Sequence, residues 1–291
     1  SDETFADTFS NIEGVIGSKY NDIIIGNDQN NILEGAKGND VIRGGEGNDV
    51  LVTGHGDDQI YGDGGDDTLI TVGSGTQFYN GGDGTDTLIV DTSYLISLNP
   101  DYLNTIDIDL TSGDLGQQGN PELRDTIINI ENVTYNGLFD VRIYGDGESN
   151  IINGGLGNDS INGKGGDDYL YGHEGNDYIK SGLGLDIITT GTGNDLIHMH
   201  KNYATHSLEM TNRITDFELG FDKIELEEIL YSDISIEQGI GEYNNDTVVF
   251  SSDGYLVILE NLNLSISSNN DNESISSYIN NGSIFELFET S

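Results

Sequence analysis

The sequence predicts an all-β fold in which two parallel β-roll blocks are joined by a β-rich connector and followed by a C-terminal cap resembling a β-sandwich. Three features point there. Units of nine residues begin at Gly17, Gly26, Gly35, Gly44, Thr53 and Gly62, and again at Gly145, Gly154, Gly163, Gly172, Ser181 and Thr190. Position six of each unit is Asp or Asn, and position eight is Ile or Leu, from Ile24 and Leu33 through to Ile197. Each unit opens on a glycine-rich stretch, as in Gly44-Gly45-Glu46-Gly47.

In chain order, residues 1–89 read as a lead-in and the first roll, 90–144 as the connector, 145–198 as the second roll and 199–291 as the cap. Within each unit six residues turn and three extend. Glycine admits the positive φ that a tight turn needs, and alternation in the short strand sends position eight inward and positions seven and nine outward. Two units then close one coil of 18 residues. Successive coils stack about 4.8 Å apart on a thin ladder of Ile and Leu. The phase slips by one residue within 71–80 before a further unit at 81–89. The connector holds both prolines, Pro100 and Pro121, beside the alternating segment Thr105-Ile106-Asp107-Ile108-Asp109-Leu110. Ile12-Glu13-Gly14-Val15 leads into the first run as Ile130-Glu131-Asn132-Val133 leads into the second, so the lead-in is duplicated. After His198 ordinary strand patterns return at 223–226, 247–250 and 255–259.

Composition constrains what such a roll can do. With 52 carboxylates against 10 basic residues the formal charge is −42, and only 34% of the chain is apolar. Self-repulsion on that scale opposes any compact state that lacks bound counter-charge, and it excludes nucleic acid and anionic membrane surfaces as partners. An acidic disordered tail has no reason to keep a nine-residue register. There is no cysteine, so neither disulfides nor a cysteine zinc site can hold the chain. No segment is long and apolar enough to be a transmembrane helix.

The coil geometry stacks Asp22, Asp40 and Asp58 on one edge and Asn31, Asp49 and Asp67 on the other. Two carboxylates about 5 Å apart repel by roughly 3 kcal/mol at an effective dielectric of about 20. A hard divalent cation between coils reverses the sign. Calcium suits the site because it takes six or more carboxylate and carbonyl oxygens in forgiving geometry, whereas magnesium demands a stricter octahedron and zinc prefers His or Cys. The expected side-chain ligands are Asp22, Asp40, Asp49, Asp58, Asp67, Asp86, Asp159, Asp168, Asp177, Asp186 and Asp195, with Asn31 and Asn150 marking weaker entry sites. Carbonyl ligands are expected from the position-one glycines Gly35, Gly44, Gly62, Gly154, Gly163 and Gly172. The position-four glycines Gly38, Gly47, Gly56, Gly65, Gly157, Gly166, Gly175, Gly184 and Gly193 are the other candidates. One site per stacked pair gives roughly eight calcium ions.

The loops Gly44-Gly45-Glu46-Gly47-Asn48-Asp49 and Gly154-Gly155-Leu156-Gly157-Asn158-Asp159 resemble the RTX (repeats-in-toxin) nonapeptide, a calcium-binding pattern. The resemblance implies the C-terminal region of a bacterial adhesin or toxin, exported by type I secretion machinery and either released or retained at the cell surface. Ile214-Thr215-Asp216-Phe217 with Asp222-Lys223-Ile224-Glu225-Leu226 is similar to the β-rich segment that follows RTX rolls in such proteins. Phe285-Glu286-Leu287-Phe288-Glu289 resembles an uncleaved C-terminal secretion signal, in keeping with a first stretch that lacks the basic and apolar regions of a leader. The sequence opens in what reads as mid-domain, as part of something longer.

The expectation is therefore a non-catalytic calcium-folded module. Its alternatives are a polysaccharide-binding module with an extracellular glycan as partner, or the non-catalytic part of an RTX enzyme such as an alginate epimerase or metalloprotease. Neither a His-Glu-x-x-His motif nor a Gly-x-Ser-x-Gly elbow occurs. His198, His200 and His206 read as surface histidines rather than zinc ligands, and Tyr61, Tyr79, Tyr171 and Tyr178 as scattered outward aromatics.

Overall fold

The nine-residue alternation of turn and strand folds as its period requires. The computed structural model describes residues 12–92, 105–117, 124–229, 233–262 and 288–290. The first run supplies strands β1 (Gly14–Ile16), β2 (Ile23–Ile25), β3 (Ile32–Lys37), β4 (Val41–Glu46), β5 (Val50–His55), β6 (Gln59–Gly64), β7 (Thr68–Thr71), β8 (Phe78–Asp83) and β9 (Thr87–Asp91). Between the runs lie β10 (Ile106–Asp109), β11 (Asp114–Gln117), β12 (Arg124–Ile128) and β13 (Asn132–Asn136). The second run gives β14 (Val141–Tyr144), β15 (Ile151–Gly155), β16 (Ser160–Gly165), β17 (Tyr169–Glu174), β18 (Tyr178–Leu183), β19 (Ile187–Thr192) and β20 (Leu196–His200). Then follow β21 (Asn212–Ile214), β22 (Lys223–Glu227), β23 (Ser235–Gln238), β24 (Thr247–Ser251), β25 (Gly254–Leu259) and β26 (Phe288–Thr290).

Successive strands alternate between two sheets, so each strand of a run pairs in parallel with the strand two ahead of it. Leu33 faces Leu51 and Leu51 faces Leu69 in one sheet, while Ile42 faces Ile60 in the other. One coil is thus 18 residues. Position eight is buried in every coil and positions seven and nine are half-exposed or exposed except at His198, which puts the core in a ladder of Ile and Leu between the sheets.

Both sheets run without a break from the first run, through the connector, into the second run and the segments beyond it. One is ordered β1-β3-β5-β7-β9-β13-β15-β17-β19-β21-β25-β24-β23, the other β2-β4-β6-β8-β12-β11-β10-β14-β16-β18-β20-β22-β26. The strands between the runs act as coils of the same roll: Val133 sits between Leu88 and Ile152, and Ile127 lies beside Tyr79. Pairing is antiparallel within the connector, at β10–β11 and β11–β12; after the second run β21 and β22 cover β19 and β20 in parallel, and the pairing turns antiparallel again through β24 and β25.

The phase slip has one consequence that corrects the reading of Tyr79. The extra residue near Thr71 moves Tyr79 into position eight, where it pairs with Ile60 and is fully buried rather than outward. Of the segment 285–289, only the backbone at 288–289 falls within the described residues, and Pro100 and Pro121 lie outside them. Among the described residues no helix is long and apolar enough to cross a membrane.

Candidate metal centre

Stacking the coils gives each position-six carboxylate two different surroundings. Its Oδ1 turns back along the roll and accepts the backbone N–H of the position-six residue one coil earlier. Asp40 accepts from Asp22 (2.8 Å), Asp49 from Asn31 (2.7 Å), Asp58 from Asp40 (2.9 Å) and Asp67 from Asp49 (2.8 Å). In the second run Asp168 accepts from Asn150, Asp177 from Asp159 and Asp195 from Asp177, all at 2.8 Å. The other oxygen is left over. At Asp40, Asp49, Asp58, Asp67, Asp86, Asp159, Asp168, Asp177 and Asp195 the Oδ2 is buried and has no hydrogen-bond partner.

A buried carboxylate oxygen with no donor loses its hydration and gains nothing in return. Burial accordingly pushes these carboxyls up, against the accepted N–H, which pulls the other way. Asp49, Asp58, Asp86 and Asp177 rise to about 6, Asp168 and Asp195 to about 7, and Asp159 to about 8. Neighbouring carboxylates add to the rise, as Asp177 does for Asp159.

The position-one glycine lies beside each free oxygen. A Cβ on Gly35 would stand 2.6 Å from Asp40 Oδ2 and 3.0 Å from the carbonyl oxygen of Thr53 in the next coil. On Gly154 it would stand 2.6 Å from Asp159 Oδ2 and 3.1 Å from the Gly172 carbonyl oxygen. Gly44, Gly62, Gly163 and Gly172 face Asp49, Asp67, Asp168 and Asp177 in the same way. Each gap gathers a carboxylate oxygen and a carbonyl oxygen around a space that holds no side chain. Oxygen-only donors of that kind fit calcium and offer zinc nothing it prefers. Among the described residues no three His, Cys, Asp or Glu side chains converge, as expected where each gap has one carboxylate of its own and the remaining donors are main chain.

The position-four glycines serve the backbone. Gly56, Gly65, Gly175, Gly184 and Gly193 have positive φ, and a side chain on any of them would strike the position-four carbonyl of the preceding coil. Gly157 is the member of the set without positive φ. Four position-six residues depart from the pattern. Asn31 accepts the Asn27 N–H on its Oδ1 (2.8 Å) and leaves its buried Nδ2 without a partner. Asn150 points its Nδ2 at the Glu131 carbonyl (2.7 Å). Asp186 Oδ2 accepts from Asn212 Nδ2 (3.1 Å), which also donates to Ser181 Oγ (3.0 Å). Asp22 Oδ2 accepts from the Ser18 N–H (2.5 Å) and Oγ (2.9 Å).

The ladder continues past the nonapeptides through residues that spacing alone did not single out. Gln77 Oε1 accepts from Asp58 N–H, Asp125 Oδ1 from Gln77 N–H, Glu131 Oε2 from Asp86 N–H, Asn212 Oδ1 from Asp186 N–H and Asp222 Oδ1 from Asp195 N–H. The available signal was local, a polar acceptor two residues before a buried apolar one, as in Asp125-Thr126-Ile127 and Asn212-Arg213-Ile214. A second ladder at position five runs the opposite way. Asn158 accepts the N–H of Asn176, and Asn176 that of Asn194, from the coil that follows. His198 is 5% exposed with Nε2 2.9 Å from Glu227, so it is not a surface histidine, and burial lowers its pKa.

The family model for the RTX calcium-binding nonapeptide repeat matches in four copies, at residues 15–42, 35–69, 144–179 and 180–198. The two runs are RTX calcium-binding repeats. The match covers the nonapeptide runs and leaves the strands between and after them unmatched. No curated protein matches the chain. Among solved structures, the AlgE6R3 subunit of the Azotobacter vinelandii mannuronan C5-epimerase is similar at 23% identity, over 47% of this chain and 86% of that one, with a TM-score of 0.26. The extracellular lipase LipA of Serratia marcescens is similar at 15% identity over 89% of this chain, with a TM-score of 0.27, and the match spans 39% of the lipase.

Proposed function

We propose that this RTX roll is a non-catalytic, calcium-folded module that supports type I secretion and extracellular folding of a larger bacterial protein, an adhesin. The observation that carries the reading is the row of nine buried, partnerless Oδ2 atoms in a chain of net charge −42. Each would be the carboxylate ligand of one calcium ion, with the position-one carbonyl of the next coil beside it. At Asp186 the Asn212 amide takes the cation's place.

The free-energy argument sets where the chain folds. In a calcium-poor cytosol the carboxylates repel and the chain stays extended enough to thread a channel. Outside the cell, calcium reaches the millimolar range, above dissociation constants of about 10⁻⁴ to 10⁻³ M for extracellular sites. Calcium at ten times the dissociation constant adds about 1.4 kcal/mol per site, so several sites acting together decide the state. Calcium would supply the positive charge between coils, and the stacked coils the N–H ladder that fixes each carboxylate.

Far-UV circular dichroism tests this. At neutral pH with chelator the β signal is expected to be lost, and with calcium on the order of 10 mM it returns in one cooperative step. Equal β content in the two conditions would overturn the proposal.

A further inference from the structure

The outer face of the sheet that contains β13, β15, β17 and β19 carries a groove of about 890 Å³, lined by none of the position-six carboxylates. β17 forms its ridge. Tyr171 and His173 are two residues apart and so project from the same side of the strand, with ring centroids 6.0 Å apart and planes 23° from parallel. Gly155 on β15 and Gly191 on β19 stand in register with His173, so the imidazole rises from a floor that has no side chain on either side of it. Leu138 and Leu156, 56% and 47% exposed, line the groove as well.

His173 occupies a backbone conformation that its neighbours in the column leave to glycine. Gly155 and Gly191 have φ of 108° and 99°, and His173 has 77°, a region that a residue with a Cβ enters at a cost. Asp63 and Lys164, at the same position of their own units, share it, and each makes an ion pair there, with Arg43 and Asp109. The His173 imidazole is exposed and adds nothing to the core, and strain of this kind accompanies binding sites. Its polar neighbours form one chain: Asn153 Nδ2 donates to Thr134 Oγ1 (3.1 Å), and His173 Nε2 lies 3.2 Å from Asn153 Oδ1. A carbonyl oxygen only accepts, so Nε2 donates and Nδ1 is left as an acceptor. The second Asn153 N–H, the Glu174 carboxylate and the Thr192 hydroxyl border the same space.

We propose that this groove binds a neutral polysaccharide, with one sugar ring lying against the Tyr171 and His173 rings. A pyranose presents C–H groups on its flat side and hydroxyls around its edge, which match an aromatic face bordered by hydrogen-bond donors and acceptors. The glycine floor lets the sugar approach the backbone on both sides of His173. Charge selects among sugars: the net charge of −42 and Glu174 in the groove repel an anionic chain. The inference rests on the folded roll and not on which oxygens hold calcium.

Affinity electrophoresis of the full chain, in calcium on the order of 10 mM and in gels containing dextran, amylopectin or galactomannan, is the test. One or more of these neutral polymers is expected to retard the protein, and hyaluronan, which is anionic, to leave it unretarded. Tyr171→Ala and His173→Gly should each weaken binding by about tenfold. Glycine relieves the positive φ at 173, so His173→Gly should melt no lower than the parent and keep its calcium midpoint, a combination that a purely structural role for His173 does not give. Circular dichroism in the gel buffer establishes that the roll is folded, so that absent binding counts against the groove and not against the calcium-dependent fold. No retardation of the folded protein by any of the neutral polymers would overturn the proposal. Retardation that survives His173→Gly, or that hyaluronan matches, would overturn it too.

Discussion

Asp168 and Asp186 hold the same position in consecutive coils of one edge, and the difference between them is the donor that each Oδ2 meets. Asp186 has the Asn212 amide, whereas Asp168 has a buried space beside Gly163 and the carbonyl of Ser181. A site of this type depends on that space as much as on the carboxylate. Gly44 illustrates it: a Cβ there would strike Asp49 Oδ2 and crowd the Gly62 carbonyl oxygen at 2.8 Å. Gly44→Ala is therefore expected to remove one calcium ion. At calcium ten times the dissociation constant the loss is about 1.4 kcal/mol, with about 1–3 kcal/mol more for overpacking. Gly147 has nothing within 4 Å of its Cβ direction, so Gly147→Ala serves as the control. Calorimetric titration should report one site fewer for Gly44→Ala and no change for Gly147→Ala.

Between the runs the stacked glycine loops give way to ordinary strands, and the chain's few basic residues supply positive charge there. Arg142 grips Asp107 with both Nε (2.6 Å) and Nη2 (2.8 Å), Lys164 Nζ reaches Asp109 (3.0 Å), and Arg124 reaches Asp114 (3.1 Å). In the cap Arg213 meets Glu260. The Arg142 pair is bidentate and partly buried, the geometry in which charge-assisted hydrogen bonds are strong. Arg142→Ala should thus cost about 2 kcal/mol at saturating calcium, measured by thermal melting, while the number of bound calcium ions stays the same. This division of labour explains what the sequence revealed. The Ile and Leu at position eight and the Asp at position six recur every nine residues, so the roll, its 18-residue coil and its carboxylate ladder could be read directly. Gln77, Asp125, Glu131, Asn212 and Asp222 could not, because their hydrogen bonds span 19, 48, 45, 26 and 27 residues. Inserted strands lengthen the coil there without altering its register. Tyr79 misled for the same reason, since one extra residue exchanges the inward and outward faces of a strand. The position-five ladder was hidden because Asn, Asp and Ser all serve as its acceptors.

Across the whole roll, protons and calcium compete for the same oxygens, and the direction of each effect on stability follows from the raised carboxyls. In the unfolded chain an aspartate titrates near its ordinary value of about 3.9; in the roll without metal Asp49, Asp58, Asp86 and Asp177 titrate at about 6, Asp168 and Asp195 at about 7 and Asp159 at about 8. The metal-free fold thus holds more protons than the unfolded chain throughout the interval between about pH 4 and about pH 8, and stability must fall as pH rises wherever that is so. Acid therefore supports the calcium-free roll, and neutral pH dismantles it. Calcium removes that slope, because it binds only the deprotonated carboxylate and displaces those protons, so that above about pH 5 the calcium-loaded roll and the unfolded chain are both deprotonated. At saturating calcium the folded fraction should therefore be nearly independent of pH between about 5 and about 8. Two circular-dichroism series check this: with chelator, the β signal should be greater near pH 5 than near pH 7.5, and at saturating calcium the two signals should be equal. A pH difference that persists at saturating calcium would mean that the buried Oδ2 atoms are not the calcium ligands, since an oxygen that binds calcium in this roll has already lost its proton.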